Sequence, residues 1–161
     1  ANVLGLDMGM FYKRRDYTQI VHGRNPIVAH EFLGSSVEGK DVIIIDDMIS
    51  SGDSIIEVAT ELKRRKAKRI FAAATFGLFT NGLDKFDQAY EDGTISGILT
   101  TNLIYQTPEL LSRPYYINCD MSKYIALIID TLNHDGSISS ILSPDERIQH
   151  VLQKYKNGET I

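Results

Sequence analysis

Continuous apolar runs, rather than strict alternation, dominate the hydrophobic pattern. Four of them stand out, at residues 42–45, 70–74, 98–100 and 115–117. Runs this short suit strands buried on both faces, as in a parallel sheet. Between them the period becomes helical. In residues 54–66, Ile55, Ile56, Val58, Ala59 and Leu62 recur at helical spacing, Glu61 precedes Arg65 by one turn, and the last turn is basic, which complements the helix dipole. Residues 83–90 read as a shorter helix closed near Gly93, and Thr107 and Pro108 read as an N-cap followed by a first helical position. Asp120 is placed to cap a longer helix with Met121, Ile125, Ile128, Ile129 and Leu132 on its inner face. A capping box of Ser143, Pro144 and Glu146 announces a last helix, with Ile148, Val151, Leu152 and Tyr155 as its stripe and Gly158 as its stop. At the other end, residues 1–4 read as the tail of a helix that turns at Gly5 into a short strand over 8–12, and the missing initiator Met points to further sequence upstream. Residues 14–25, polar and charged with Gly23, are expected to be mobile. Residues 26–45 suggest a hairpin whose second arm is the 42–45 strand. Strand and helix in regular order predict an α/β domain, a parallel sheet flanked by helices, with an extra C-terminal helix.

Composition narrows the class. With 161 residues, 43% of them hydrophobic, the chain can close a core without disulfides or a structural metal. Its one cysteine, Cys119, points to a reducing cytoplasm and to packing rather than chemistry. No run approaches the roughly 20 apolar residues of a membrane span. A net charge of -4 argues against nucleic acid as the main partner. The basic run Lys63 to Arg69 reads as a solvated helix end, Phe71, Phe76, Phe79 and Phe86 as core packing, and His22, His30, His134 and His150 lack metal spacing.

The chemistry gathers in DVIIIDDMISSGDS, residues 41–54. If the strand ends at Ile45 and the helix opens at Ser54, the amides of residues 48–53 converge near a helix start, where unpaired donors and the dipole favour a phosphate. Gly52 permits close backbone approach, and Ser51 and Ser54 offer hydroxyl donors. Asp46 and Asp47, a little way back along the strand, can accept from vicinal sugar hydroxyls or share a divalent cation. Phosphate plus hydroxyls describes a sugar phosphate, although a strand end that merely caps a helix has the same outline.

The stretch VIIIDDMISSGDS resembles the signature of the type I phosphoribosyltransferase fold: a hydrophobic run, two acids, a short spacer and a hydroxyl-glycine turn. Together with FYKRRDY, GRNPIVAHEFLG, ATFGLFTNGLDKFDQAY, TTNLIYQTPELL and MSKYIALIIDTLNHDGSISSIL, it is similar to the C-terminal half of the ribose-phosphate pyrophosphokinase family, the phosphoribosyl pyrophosphate synthetases. The likeness runs from Val3 to about Leu142, so that residues 1–142 form the catalytic-domain part and 143–161 a helical extension. It implies transfer of a diphosphoryl group from ATP, with Mg²⁺, to the C1 hydroxyl of ribose 5-phosphate. It further implies that Lys13 and Arg15 are catalytic-loop cations, Asp46 and Asp47 hold the ribose and a metal, and Ser50, Ser51, Gly52, Asp53 and Ser54 cradle the phosphate. Ser137 and Ser139 match a segment used for subunit contact and phosphate sensing, which implies self-association with further synthetase subunits. Asp53 departs from the family's commoner glycine, and a carboxylate there must turn away from the anion. The adenine-binding part of the family is missing from these residues, so the chain is expected to be inactive alone. The competing readings are a non-catalytic regulatory homologue and a salvage phosphoribosyltransferase.

Overall fold

A computed structural model describes residues 1–15 and 27–159, with the side chains of 13–15, 27–31 and 140 outside that description. After a single 3₁₀ turn at Asn2–Leu4, which ends on Gly5 in the left-handed region, β1 (Met10–Arg15) pairs antiparallel with β2 (Ile27–Leu33). There follow β3 (Val42–Ile49), α1 (Asp53–Arg64), β4 (Ile70–Gly77), α2 (Asp84–Glu91), β5 (Gly97–Thr101), α3 (Pro108–Leu111) and β6 (Tyr116–Cys119). The chain closes with α4 (Ser122–Asn133), α5 (Ser139–Leu142) and α6 (Asp145–Lys156). Strands β3, β4, β5 and β6 form one sheet in that order, parallel throughout, each joined to the next by a helical crossover. The α/β expectation therefore holds. The hairpin differs from the expected one, because β2 pairs back onto β1 and not onto β3. It is tied to the sheet domain by Phe11, which packs on the core, and by Phe32 under the Arg65 guanidinium.

The core lies between the sheet and α1 and α2. Ile55, Ala59 and Leu62 recur on one face of α1 and meet Ile70, Ala72 and Ala74, the alternate residues of β4, while Phe86 and Ala89 come from α2. Small side chains on the central strand let both helices approach the sheet closely.

Helix α2 is anchored at its outer end by polar contacts. Asp87 accepts from Arg113 Nε and Nη2, each at 2.9 Å, and from the Tyr115 hydroxyl at 2.6 Å. Burial opposes ionisation of Asp87, but the hydrogen bonds from Tyr115 and Arg113 and the guanidinium charge outweigh it and hold the carboxyl below its usual range. The Tyr115 phenol is pushed well above its ordinary value by burial and by the carboxylate it donates to. A depressed folded pKa contributes stability that is present above the unfolded value, about 4, and is lost as pH falls through the lower folded value. Asp87→Asn is accordingly expected to lower the melting temperature at pH 7 and to flatten its fall as pH drops below about 4. Thermal melts of both proteins across that window test it. Equal slopes would remove Asp87 from the acid response.

Several local expectations are corrected. Strand β1 reaches Arg15, so Lys13, Arg14 and Arg15 belong to a paired strand and not to a mobile loop that follows one. The remainder of that stretch, with His22, lies outside the described residues. Asp120 does satisfy an amide of α4, accepting from Ser122 N at 2.9 Å, but no residue of α4 is buried, and Ile125, Ile129 and Leu132 of the expected inner face are exposed. Helical spacing defines a stripe without saying what covers it. The capping box does not form, because the first helical hydrogen bond of α6 accepts at the Pro144 carbonyl, which leaves Ser143 outside the cap position. By contrast, the Thr107 cap is present, with its hydroxyl accepting from Leu110 N at 3.1 Å. No helix among the described residues is long and apolar enough to cross a membrane.

Candidate functional site

The site is built where β3 gives way to α1. The apolar run ends at Ile45, yet the strand continues through Asp46, Asp47 and Met48 to Ile49, because the parallel ladder with β4 persists: Asp46 faces Ala74, Met48 faces Phe76 and Ile49 faces Gly77. The turn expected over 48–53 is therefore shorter, Ser50 to Gly52, and α1 opens at Asp53, one residue ahead of Ser54. Ile49 is buried and seats the end of the strand. Its carbonyl accepts from Leu78 N at 2.8 Å, and the Ser50 carbonyl accepts from Thr80 N at 3.0 Å. These bonds commit the acceptors of the turn to the loop after β4. Among the described residues, the amides of Ser50, Ser51 and Gly52 have no hydrogen-bond partner, which leaves a row of donors at the mouth of a 12-residue helix.

Gly52 sets the curvature of this turn. Its φ of 84° lies in the left-handed region, and a Cβ built on it would stand 2.1 Å from Phe86 Cζ. Glycine is thus demanded twice, by conformation and by the buried ring beneath. Phe86 in turn packs edge-on against Phe79, with ring centroids 5.1 Å apart.

Asp46 and Asp47 are both exposed at the carboxyl end of β3, where ligands of open parallel sheets bind. As consecutive strand residues they leave on opposite faces. Asp46 Oδ1 accepts from the Asp47 amide at 2.9 Å, which holds the first carboxylate beside the strand. Acceptor-only groups so placed suit sugar hydroxyls. No group of three or more His, Cys, Asp and Glu side chains with metal-binding geometry occurs among the described residues. A hydrated Mg²⁺ takes one or two carboxylates together with water and substrate phosphates, so the donor chemistry at either aspartate fits that ion.

The Asp53 carboxylate is engaged on both oxygens. Lys85 Nζ, from the first turn of α2, donates to Oδ1, and Ser51 Oγ donates to Oδ2 at 2.9 Å. The Lys85 and Ser51 hydrogen bonds lower the Asp53 pKa, so the group is ionised near neutral pH. Sequence reasoning read Phe86 as core packing, which its burial bears out, but passed over Lys85. The available signal was Asp53 itself, since a carboxylate in a turn expected to take an anion calls for a nearby cation.

Other candidates lie on other elements. Lys13 and Arg15 lie on β1, with Lys13 in register with His30. Ser137 and Ser139 are joined by an Oγ–Oγ hydrogen bond of 3.0 Å at the start of α5, a short helix. The basic run at the end of α1 is largely paired on the surface, Arg64 and Arg65 with Glu61, Lys66 with Glu38 and Arg69 with Asp41.

The family model of the phosphoribosyl synthetase-associated domain matches residues 19–143. The chain belongs to that family. Among its relatives, a ribose-phosphate pyrophosphokinase of Vibrio parahaemolyticus is 29% identical over 145 residues, 89% of this chain and 43% of its own length. One from Thermococcus kodakarensis is 33% identical over 114 residues, 69% of this chain and 38% of its own. The chain thus spans about two fifths of the length of these curated relatives. A crystal structure of phosphoribosylpyrophosphate synthetase from Mycobacterium smegmatis matches with a TM-score of 0.58 and 24% identity, over 67% of this chain and 35% of that one, and shares the fold.

Proposed function

We propose that this chain is the ribose 5-phosphate-binding part of an ATP:ribose-5-phosphate diphosphotransferase, which makes phosphoribosyl pyrophosphate and AMP for nucleotide biosynthesis in the cytoplasm. The observation that carries this reading is the open row of amides from Ser50 to Gly52 just ahead of α1, with two exposed carboxylates at the end of the strand that leads into it. In this reading the 5-phosphate sits on those amides, with Asp53 N and the Ser54 hydroxyl completing the cradle. The ribose hydroxyls donate to the one of Asp46 and Asp47 that leaves the strand on the side of the turn, which orients the C1 hydroxyl outward.

The C1 oxygen attacks the β-phosphorus of ATP, the bond from that phosphorus to the α-phosphate's bridging oxygen breaks, AMP leaves, and the hydroxyl proton passes to solvent. Little covalent chemistry falls to the protein, which contributes alignment and charge. Lys13 and Arg15 supply cations to the transferring group. Mg²⁺ held at Asp46 or Asp47 would neutralise phosphate charge. The ATP site is completed by residues outside this chain, by self-association with further synthetase subunits or by another part of the protein.

The test uses the full-length protein with ATP, ribose 5-phosphate and Mg²⁺, following AMP. Turnover is expected, and Lys13→Ala should lower kcat by roughly 100-fold while leaving the melting temperature near that of the parent. Normal turnover in that variant would take Lys13 out of the mechanism. A parent that neither forms AMP nor binds ribose 5-phosphate would overturn the reading and favour a regulatory homologue.

A further inference from the structure

Asp53 poses a problem for the function just proposed, since it puts a full negative charge on the first residue of the helix whose mouth is to receive a phosphate. The groove that runs beside it between α1 and α2 makes the problem worse. Its lining includes the carboxylates of Asp53, Glu57, Asp84 and Asp92, and Lys85 is the one cationic residue lining it among the described residues. Two charges of like sign a few ångströms apart repel even in a watery dielectric, and a phosphate dianion doubles the penalty.

Lys85 occupies the place from which that repulsion can be cancelled. It stands one residue before Phe86, whose buried ring lies directly under Gly52, so the same turn of α2 that supports the glycine also aims an ammonium at Asp53. Packing of Phe86 fixes where the lysine's backbone stands, and its half-exposed side chain spans the rest of the way. Asp53 Oδ1 is taken by Lys85, and Oδ2 draws in the Ser51 hydroxyl, a donor that the phosphate cradle needs for itself.

We infer that Lys85 is a positioning residue of the phosphate turn, which holds the Asp53 carboxylate on the α2 side and offsets its charge so that the amides of Ser50 to Gly52 can accept an anion. The inference rests on the ribose 5-phosphate reading. It makes the carboxylate at position 53 and the lysine at position 85 a matched pair: the acid is tolerable because the cation is there, and the cation matters to binding only while the acid is present. When phosphate arrives, Ser51 Oγ turns from Asp53 to the ligand, and the Lys85 contact alone keeps the carboxylate in place.

The experiment measures ribose 5-phosphate affinity and the KM values for ribose 5-phosphate and ATP in the full-length protein. Lys85→Ala is expected to weaken ribose 5-phosphate binding about tenfold, with the KM for ATP and the melting temperature little changed. Lys85→Arg should recover most of the loss, and Asp53→Gly combined with Lys85→Ala should recover nearly all of it, since glycine keeps the amide and removes the charge. An unchanged affinity in Lys85→Ala, with the parent binding normally, would overturn the inference and leave the site assignment standing. The same would follow if Lys85→Ala were as harmful in the Asp53→Gly background as in the parent, because the lysine would then act only by supporting the fold. A parent that does not bind ribose 5-phosphate would remove both.

Discussion

Gly52→Ala is expected to destabilise the protein by about 2–5 kcal/mol and to abolish measurable ribose 5-phosphate binding at millimolar concentration. Two costs combine. An L-residue held at the left-handed φ of 84° is disfavoured by roughly 1–2 kcal/mol. The new methyl group would also sit 2.1 Å from Phe86 Cζ, well inside van der Waals contact, and the ring is only 1% exposed and has nowhere to go. Over-packing of that kind typically costs about 1–3 kcal/mol. The turn must shift outward to relieve it, which scatters the amides of Ser50, Ser51 and residue 52. Urea unfolding gives the first quantity and calorimetric titration the second. Adding Phe86→Leu to Gly52→Ala should recover part of the stability, because it removes the overlap, and none of the conformational cost. A single Gly52→Ala variant within about 0.5 kcal/mol of the parent would mean that the turn does not have this geometry.

Phe86→Ala is expected to have a still larger effect on stability, about 3–5 kcal/mol, since it empties a fully buried aromatic site at the junction of α2, the Gly52 turn and Phe79. The cavity would open directly beneath the turn. Loss of ribose 5-phosphate affinity should therefore accompany the loss of stability even under conditions where the variant is folded. Phe86→Leu keeps most of the volume and should cost about 1–1.5 kcal/mol with binding largely retained. A Phe86→Ala protein that unfolds at the parental urea concentration would show that α2 does not support the turn.

Both predictions concern a contact between residues 52 and 86 that no local pattern reveals. The same is true of Lys85 and Asp53, and of Asp87 with Arg113 and Tyr115. The resemblance of DDMISSGDS to a known signature located the turn and its acids, but said nothing of what held them. Asp53 was legible as a conflict, a negative charge in a turn expected to take an anion, and its resolution was not, because the counter-cation comes from the next crossover helix.

What the sequence determined by itself is local. Apolar runs too short for helices marked β3 to β6, helical spacing marked α1, Thr107 with Pro108 opened α3, and Gly5, Gly93 and Gly158 stopped their turns at positive φ. These signals depend on neighbouring residues and on steric rules that hold anywhere in a chain. Tertiary structure decided the rest. Pairing with β4 carried Asp46 to Ile49 into the strand, pairing with β2 placed Lys13 and Arg15 in β1, and the packing of α2 fixed both the shape and the charge of the Ser50–Gly52 turn. Hydrogen-bond ladders and buried rings join residues far apart in sequence, so their consequences exist only once the sheet has formed.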